Sequence, residues 1–493
     1  MSFSRLLRTP TRWSAALPPA STIALVGGAG TAVVVALVVA AAHAGVPQDV
    51  DLPQWWGAWP TGDAYRTAAG ALVLAVTAAL CAVWVHLART WLTGEHVPRL
   101  RSILLICLAW ATPFALAGPI GSLDVQSYAA VGRMARIGMN PYRFGPGWLH
   151  GPYEAFAAAV SPEWKMTPSP YGPLQVSLLR QIAGAAGTHV GFAVLLIRAV
   201  AVVGLAAAVV LAMHAAPAAE RASVLLLVAI NPLVLVHIVS GAHLDILVGA
   251  LAMVVVLLVR TGRPTVAMVV AVVACMIKLP GLVLVGYVGL DVLRRTDRQQ
   301  LRARLAQVLG AGGAVLMATW VFVPDAFGWV GALSVPGQIK SGLAPSTWVS
   351  WFLAGATGLG GDTATTVARL IVMVAGGLVA ARLLWLATDG PERSAYLGVG
   401  WGLLAVALSG PTTYPWYLTW GLFAAVVGSR TRGRLTLLAL SVCYTLLGAW
   451  SGGSIGMVTM VAAFVGLGVL VWRTVRALVA TESPVRTLTT VPV

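Results

Sequence analysis

A lone carboxylate beside an apolar run is the first feature of this sequence with chemical consequence. The segment Gly121-Ser122-Leu123-Asp124-Val125-Gln126-Ser127-Tyr128 follows an apolar stretch at 102–120. It leads through Arg133 and Arg136 to Asn140-Pro141-Tyr142. An aspartate at the edge of an apolar layer is partly desolvated, which raises its basicity and suits it to accept a proton. A helix starting near Ser122 places Asp124, Gln126 and Tyr128 in its first turns, where the helix dipole favours the ionised carboxylate. The competing use of Asp124 is a plain helix cap. Arg133 and Arg136 stand one turn apart and suit a phosphate or, equally, lipid headgroups.

Further polar and aromatic groups sit where the chain reverses. Thr167-Pro168-Ser169-Pro170-Tyr171-Gly172-Pro173 fixes a rigid turn that presents Ser169 and Tyr171. Asn231-Pro232-Leu233, His237 and Ser240-Gly241-Ala242-His243-Leu244-Asp245 mark the end of a hairpin. His243 and Asp245 there suit proton relay or sugar-hydroxyl binding, with helix capping the other use of Asp245. Lys278, ahead of Leu279-Pro280, ends an uninterrupted apolar run. An ammonium at membrane depth is costly unless paired, so an anionic lipid phosphate is its natural partner; snorkelling to the interface is the alternative. Pro411-Thr412-Thr413-Tyr414-Pro415-Trp416-Tyr417 reverses the chain once more. Arg198 and Arg369 fall inside apolar segments and require a carboxylate or a phosphate.

The elements that must position these groups follow from composition. The chain has 493 residues, 58% hydrophobic and 10% charged, with a mean hydropathy of +0.85. Soluble proteins carry roughly 25% charged residues, so an ordinary cytosolic enzyme and a disordered chain are both excluded. Apolar stretches at 21–42, 67–88, 102–120, 191–213, 222–238, 246–260, 264–277, 280–293, 305–323, 363–387, 395–409, 416–429, 435–450 and 457–473 predict about 14 transmembrane helices. The expected fold is an all-α polytopic bundle, one domain over 1–493. With strict alternation, most of the 32 basic residues fall on one side, which the positive-inside tendency makes cytoplasmic. That side includes the N-terminus at 1–20 and the tail at 474–493. The net charge of +16 is then mostly a topology signal, and nucleic acid is not an expected partner. The opposite, extracytoplasmic face carries long loops at 44–66, 121–190 and 324–362, rich in Trp, Tyr, Pro and Gly. Some of these aromatics form an interfacial belt, yet loops of this length are usually functional. All the candidate groups converge on this face.

Other signals carry less. Asp49-Val50-Asp51 has the form used with metal–nucleotide sugars, but it is short and common, and nucleotide sugars are absent outside the cell. There is no GxxxxGK[ST], HExxH or Cys/His cluster, so no metal and no cofactor is expected. The four cysteines lie in apolar segments without CxxC spacing and read as small core residues.

The ordered set Asp124, Asn140-Pro141-Tyr142, Tyr171-Gly172-Pro173, His243-Leu244-Asp245, Lys278-Leu279-Pro280 and Tyr414-Pro415-Trp416-Tyr417 resembles the GT-C membrane glycosyltransferases. Within them it is most similar to the polyprenyl-phosphate-mannose-dependent α-1,6-mannosyltransferases of actinobacterial lipomannan synthesis (the MptA/MptB type). The resemblance spans about 100–420. It implies a GT-C bundle whose long outer loops contain short helices, a polyprenyl-phosphate-mannose donor, a mannosylated glycolipid acceptor, and Asp124 as catalytic base. Lys278, Arg133 and Arg136 would then face the donor phosphate. Gln126, Tyr128, Tyr142, Tyr171, His243, Asp245, Tyr414 and Trp416 would line the substrate site. A transporter or flippase of polyprenyl-linked lipids, and a related enzyme using another lipid-linked sugar such as arabinose, are the competing readings.

Overall fold

The computed structural model describes residues 27–36, 66–92, 100–120, 122, 124–338 and 341–450. The expected segment at 457–473, the loop at 44–65, Asp49-Asp51 and both termini lie outside them. The described residues are helical with no strand, as the composition requires.

The N-terminal part of the bundle comprises α1 (Gly27–Ala36), α2 (Arg66–Leu92), α3 (Leu100–Leu116), α4 (Asp124–Arg136), α5 (Pro173–Ala186), α6 (Val190–Ala215), α7 (Arg221–Ala229) and α8 (Ile246–Arg260). The chain continues through α9 (Pro264–Ile277), α10 (Leu282–Arg295), α11 (Arg298–Phe322), α12 (Pro345–Thr357), α13 (Gly361–Asp389), α14 (Glu392–Ser409), α15 (Thr419–Gly428) and α16 (Thr431–Trp450).

This is a membrane protein by the character of these helices. Among the described residues α6, α11 and α13 are long and apolar enough to cross a bilayer, and the bent pair Ala218–Ala229 and Pro232–Ser240 makes a fourth crossing if taken as one span. The apolar helices α1, α3, α8 and α9, and the apolar part of α2, are shorter than a full crossing requires. A helix of 15 residues rises about 22 Å, against a hydrocarbon layer of about 30 Å.

At the centre α8 packs against α6, α9 and α15, with α14 and α15 side by side and α13 outside them. Close approach is built with glycine: a Cβ on Gly400 would stand 2.2 Å from the Ala425 nitrogen, and one on Gly421 would stand 2.1 Å from the Gly400 carbonyl. Small residues thus let the backbones of α14 and α15 meet. The C-terminal helices are therefore keyed into the N-terminal bundle through α8.

A helix break after α7, the buried Arg198 and the half-buried Arg369 shape the region around the nearby turns. Pro232 cannot continue α7, and Asn231 caps the restart by accepting the Leu233 N–H at 3.0 Å while donating to Ser441 Oγ at 2.9 Å. The restart runs into a π turn over Leu235–Ser240, a form that often marks functional sites. Arg198, inside α6, donates to the carbonyls of Ala115 and Ala117 at the C-terminal end of α3, and to that of Ser240. It thereby meets the negative end of a helix, an arrangement its position in the sequence did not disclose. Arg369 likewise donates to the Gly337 carbonyl.

Candidate active site

Asp124 opens α4, and Ser122 Oγ accepts its backbone N–H at 3.1 Å. The side chain is 12% exposed. The carboxyl is raised to about 7, chiefly by burial, against the pull of Lys278 and with a further push from Asp245. Asp124 is therefore poised near neutrality, where a general base works best.

The turn after the π segment brings His243 to this carboxylate. Ala242 adopts φ +54°, a left-handed conformation that a residue with a Cβ rarely takes and that tends to occur at functional sites. His243 Nδ1 lies 3.9 Å from Asp124 Oδ2 and 3.2 Å from the Tyr128 hydroxyl. Tyr128 sits one helical turn beyond Asp124, so one face of α4 carries both. The imidazole stacks on Trp416 with centroids 3.7 Å apart at 13°, and Trp416 stacks on Tyr414 at 4.8 Å and 4°. Burial, reinforced by His237 and Lys278, holds His243 neutral.

On another side stands Lys278. Pro280 ends the helical hydrogen-bonding after α9, leaving Lys278 extended at φ −154° and ψ 139°. Its Nζ meets Asp245 Oδ1 at 2.7 Å, and the same oxygen accepts the Trp420 indole N–H at 2.7 Å. Tyr417, Trp420 and Tyr171 place their rings 4.4, 5.3 and 5.4 Å from the ammonium, an aromatic cage that stabilises a cation. Tyr171 is delivered by the proline-rich turn, which docks by a Gly172 N–H bond to the Ile277 carbonyl at 2.9 Å. A Cβ at position 172 would stand 2.1 Å from the Met276 carbonyl, so only glycine permits this contact.

Asp124 also lines a small, partly open cleft of about 20 Å³ between α4 and the segment Trp164–Tyr171, room for about one water. The arrangement is thus a buried carboxylate, a caged cation paired with Asp245, and a small cleft whose lining apart from Asp124 is uncharged. It can take a proton from a hydroxyl and stabilise an anion beside it.

Residues 24–295 match the family model described as alpha-(1->6)-mannopyranosyltransferase, N-terminal domain, and residues 344–486 match MptB C-terminal domain. The chain belongs to the alpha-(1->6)-mannopyranosyltransferase family. It is 29% identical over 390 residues to alpha-(1->6)-mannopyranosyltransferase A of Mycobacterium tuberculosis, covering 76% of this chain and 74% of that protein. It is 28% identical over 371 residues to alpha-(1->6)-mannopyranosyltransferase B of Corynebacterium glutamicum, covering 68% of this chain and 60% of that protein. A probable alpha-(1->6)-mannopyranosyltransferase of Mycolicibacterium smegmatis is 27% identical over 431 residues, covering 78% and 75%. No solved structure matches the chain. The enzyme class is mannosyltransferase.

In this mannosyltransferase, Asp124, Tyr128, Tyr171, His243, Asp245, Lys278, Tyr414 and Trp416 come together as one cluster, although five separate parts of the chain supply them. Four other expected residues stand apart from it. Arg133 lies nine residues along α4 from Asp124, about 13 Å by helical rise. Its guanidinium donates to the Ala183 carbonyl at 2.6 Å and packs near the rings of Tyr153 and Phe156. Arg136 lies beside Gly184 of α5. Tyr142 packs against Gly328. Gln126 is buried on another face of α4, with both amide atoms unpartnered among the described residues. Two residues of the site escape sequence reasoning. Trp420 follows Trp416 by one helical turn, the spacing that could have disclosed it. Ser127 follows Asp124 by three, which puts both on one face of α4.

Proposed function

We propose that this enzyme transfers mannose from polyprenyl-phosphate-mannose to a hydroxyl of a mannosylated glycolipid, forming α-1,6 linkages of lipomannan-type cell-envelope glycan. Asp124 acts as general base in a single inverting displacement. The acceptor O–H bond breaks and its proton passes to the Asp124 carboxylate. The acceptor oxygen bonds to the anomeric carbon as the bond from that carbon to phosphate oxygen breaks, and the electron pair leaves with polyprenyl phosphate. Inversion of a β-linked donor gives an α-linkage.

The observation that carries this reading is a buried carboxylate poised near neutrality, coupled to a caged cation and facing a small cleft. A sugar phosphodiester already has a stable anionic leaving group, so one carboxylate suffices where glycosidases need two. Lys278 supports the departing phosphate, because a fixed cation beside developing charge lowers the barrier. Arg133 and Arg136 are further from this chemistry, and Arg133 is already held by the Ala183 carbonyl. Tyr128, Tyr171 and Trp416 wall the sugar site. We further propose a multi-pass topology of about 14 helices with the site at the extracytoplasmic face. Lipid-linked donors are available there and nucleotide sugars are not.

The test is Asp124→Asn in purified, folded enzyme supplied with lipid-linked mannose. Loss of the base is expected to lower kcat about 10²–10⁴-fold. In the wild type, kcat/KM is expected to fall about tenfold per pH unit below about pH 7, because the base must be ionised. Activity of the Asn variant within a few-fold of wild type would overturn the assignment.

A further inference from the structure

The C-terminal end of α11 leads directly onto the loops around Asp124. Its last helical bond runs from the Val323 N–H to the Thr319 carbonyl at 3.0 Å, and Pro324 then stops the helix. Asp325 turns the chain at φ +53°, in the left-handed region that aspartate tolerates better than most residues. Gly328 docks on Tyr142, so closely that a Cβ there would stand 2.8 Å from Tyr142 Cδ2. Pro141, just before Tyr142, accepts the Ser169 N–H at 2.8 Å. Gly145 and Gly147 lie against Lys165 and Met166. The end of α11, the loop at 140–148 and the segment at 164–169 are therefore packed as one unit.

This unit carries a continuous run of exposed apolar side chains. α11 is long and apolar enough to cross a bilayer, and Trp320, Val321 and Phe322 near its end are exposed, Phe322 at 81%. Lipid is the natural neighbour of such a helix surface. Phe327 and Val330 carry exposed apolar surface onward along the segment that docks on Tyr142. Beyond Tyr142 come Phe144, Trp148 and Met166, with Trp148 50% and Met166 62% exposed. Phe144 and Trp148 meet edge to face at 5.8 Å, and Met166 touches the glycine between them and the base of the loop. Large apolar side chains exposed together mark an interaction surface.

The neighbouring charges select the partner. Arg143 precedes Phe144, Lys165 precedes Met166, and Arg136 precedes the exposed Ile137. Arg136 and Arg143 are exposed and Lys165 is half-buried. An apolar anchor with a cation beside it suits the boundary of a bilayer, where the ring enters the acyl region and the cation meets phosphate. Trp148 is of the residue type enriched at that boundary. Glu163, the acid nearest Met166 in sequence, is close enough to Asp124 and Tyr414 to oppose their ionisation, so it belongs to the site rather than to this surface.

We infer that Phe144, Trp148 and Met166 form a shallow membrane anchor. They lie in the headgroup layer, continuous with the lipid-facing end of α11, with Arg143 and Lys165 on lipid phosphates. The loop at 140–148 is then seated in the membrane surface instead of standing in water above it. The same packed unit includes Trp164, which lines the small cleft at Asp124, so the anchor sets the depth of Asp124 relative to the lipid. This placement holds whatever chemistry Asp124 performs.

The test attaches a nitroxide at Phe144→Cys, Trp148→Cys or Met166→Cys in the full-length protein, with the four native cysteines replaced by alanine. The protein is reconstituted in vesicles of phosphatidylglycerol and phosphatidylethanolamine. Spin relaxation by oxygen, which concentrates in lipid, is compared with relaxation by a water-soluble nickel chelate. Phe322→Cys is the lipid reference, and Glu154→Cys, at an exposed position close to the loop, is the water reference. The oxygen-to-nickel ratio at the three anchor positions is expected to be several-fold above that at 154 and to approach that at 322. Ratios equal to that at 154 would overturn the inference, because the loop would then stand in water. Low collision rates with both reagents would overturn it as well, because a protein partner or a second copy would then cover the surface. Three independent positions keep the test decisive where one label disturbs packing. Adding Arg143→Gln/Lys165→Gln is expected to lower the ratio at position 166, and an unchanged ratio would overturn the assignment of these cations to lipid phosphate.

Discussion

Two carboxylates in this enzyme are treated in opposite ways. Glu220 is held by two arginines: Arg393 donates to it from Nη1 at 2.8 Å and Nη2 at 3.1 Å, and Arg434 adds a third bond from Nη2. Both arginines also reach backbone carbonyls, Arg393 those of Gly428 and Ser429 and Arg434 that of Val426. The cluster ties the start of α7 to α14 and to the junction of α15 with α16. Asp124, by contrast, has no bidentate arginine among the described residues. It has Ser122, a neutral imidazole at 3.9 Å and a small cleft. A carboxylate held by three charge-assisted hydrogen bonds is kept ionised and weakly basic, and it serves structure. A buried carboxylate without such partners retains basicity, the property the proposed mechanism requires of Asp124.

Lys278 tests where the boundary between these two roles lies, because its bond to Asp245 resembles the structural kind. Lys278→Met is expected to reduce kcat about 100-fold, comparable to removing one preorganised electrostatic stabiliser. Removing the lysine also strands Asp245, so the double variant Lys278→Met/Asp245→Asn decides the cause. Activity should stay low in the double variant if the cation acts on the departing phosphate. Recovery to within a few-fold of wild type would make the pair a structural staple like that at Glu220.

A smaller effect is expected at the staple itself. Glu220→Gln leaves two guanidiniums facing each other without their counter-charge. The side chains are 27% exposed at Glu220, 32% at Arg393 and 7% at Arg434, so the loss should fall between those of exposed and buried pairs, about 1–3 kcal/mol. Thermal unfolding in detergent should show a lowered Tm, while kcat and both KM values of the folded enzyme stay unchanged. A loss of kcat at unchanged Tm would remove the contrast.

Much of the site was legible because charge is scarce in this chain. Asp124 and Lys278 stand out against apolar neighbours, and proline marks the turns that carry Tyr171, Lys278 and Trp416. The boundaries of α9 at 264–277 were legible for the same reason, since Pro264 starts it and Pro280 follows its end. What could not be read was direction. Arg133 shares α4 with Asp124, but helical rise carries it to the Ala183 carbonyl. Arg198 finds the carbonyl end of α3, a backbone partner that no search for opposite charges would reach. The left-handed turn at Ala242, which aims His243 at Asp124, has no glycine to announce it. Ser127 is one serine among many until packing leaves its hydroxyl unmet.

The finest test of the contrast is stability rather than rate. Burial raises the Asp124 carboxyl to about 7, above the ordinary carboxylate value near 4. The folded protein therefore binds that proton more tightly than the unfolded chain does. By linkage, this group's effect on stability worsens as pH rises from about 4 to about 7, and then stays constant. Asp124→Asn removes the ionised form, so the variant should be more stable than wild type above pH 7, by about 1–3 kcal/mol and a few degrees in Tm. The difference should shrink towards zero near pH 4, where wild-type Asp124 is protonated in both states. Glu220→Gln is the same carboxylate-to-amide exchange, and at neutral pH it should move Tm the other way. Equal losses in the two variants would mean that Asp124 is held as firmly as Glu220, and a carboxylate held that firmly would have no proton-accepting capacity left for an incoming hydroxyl.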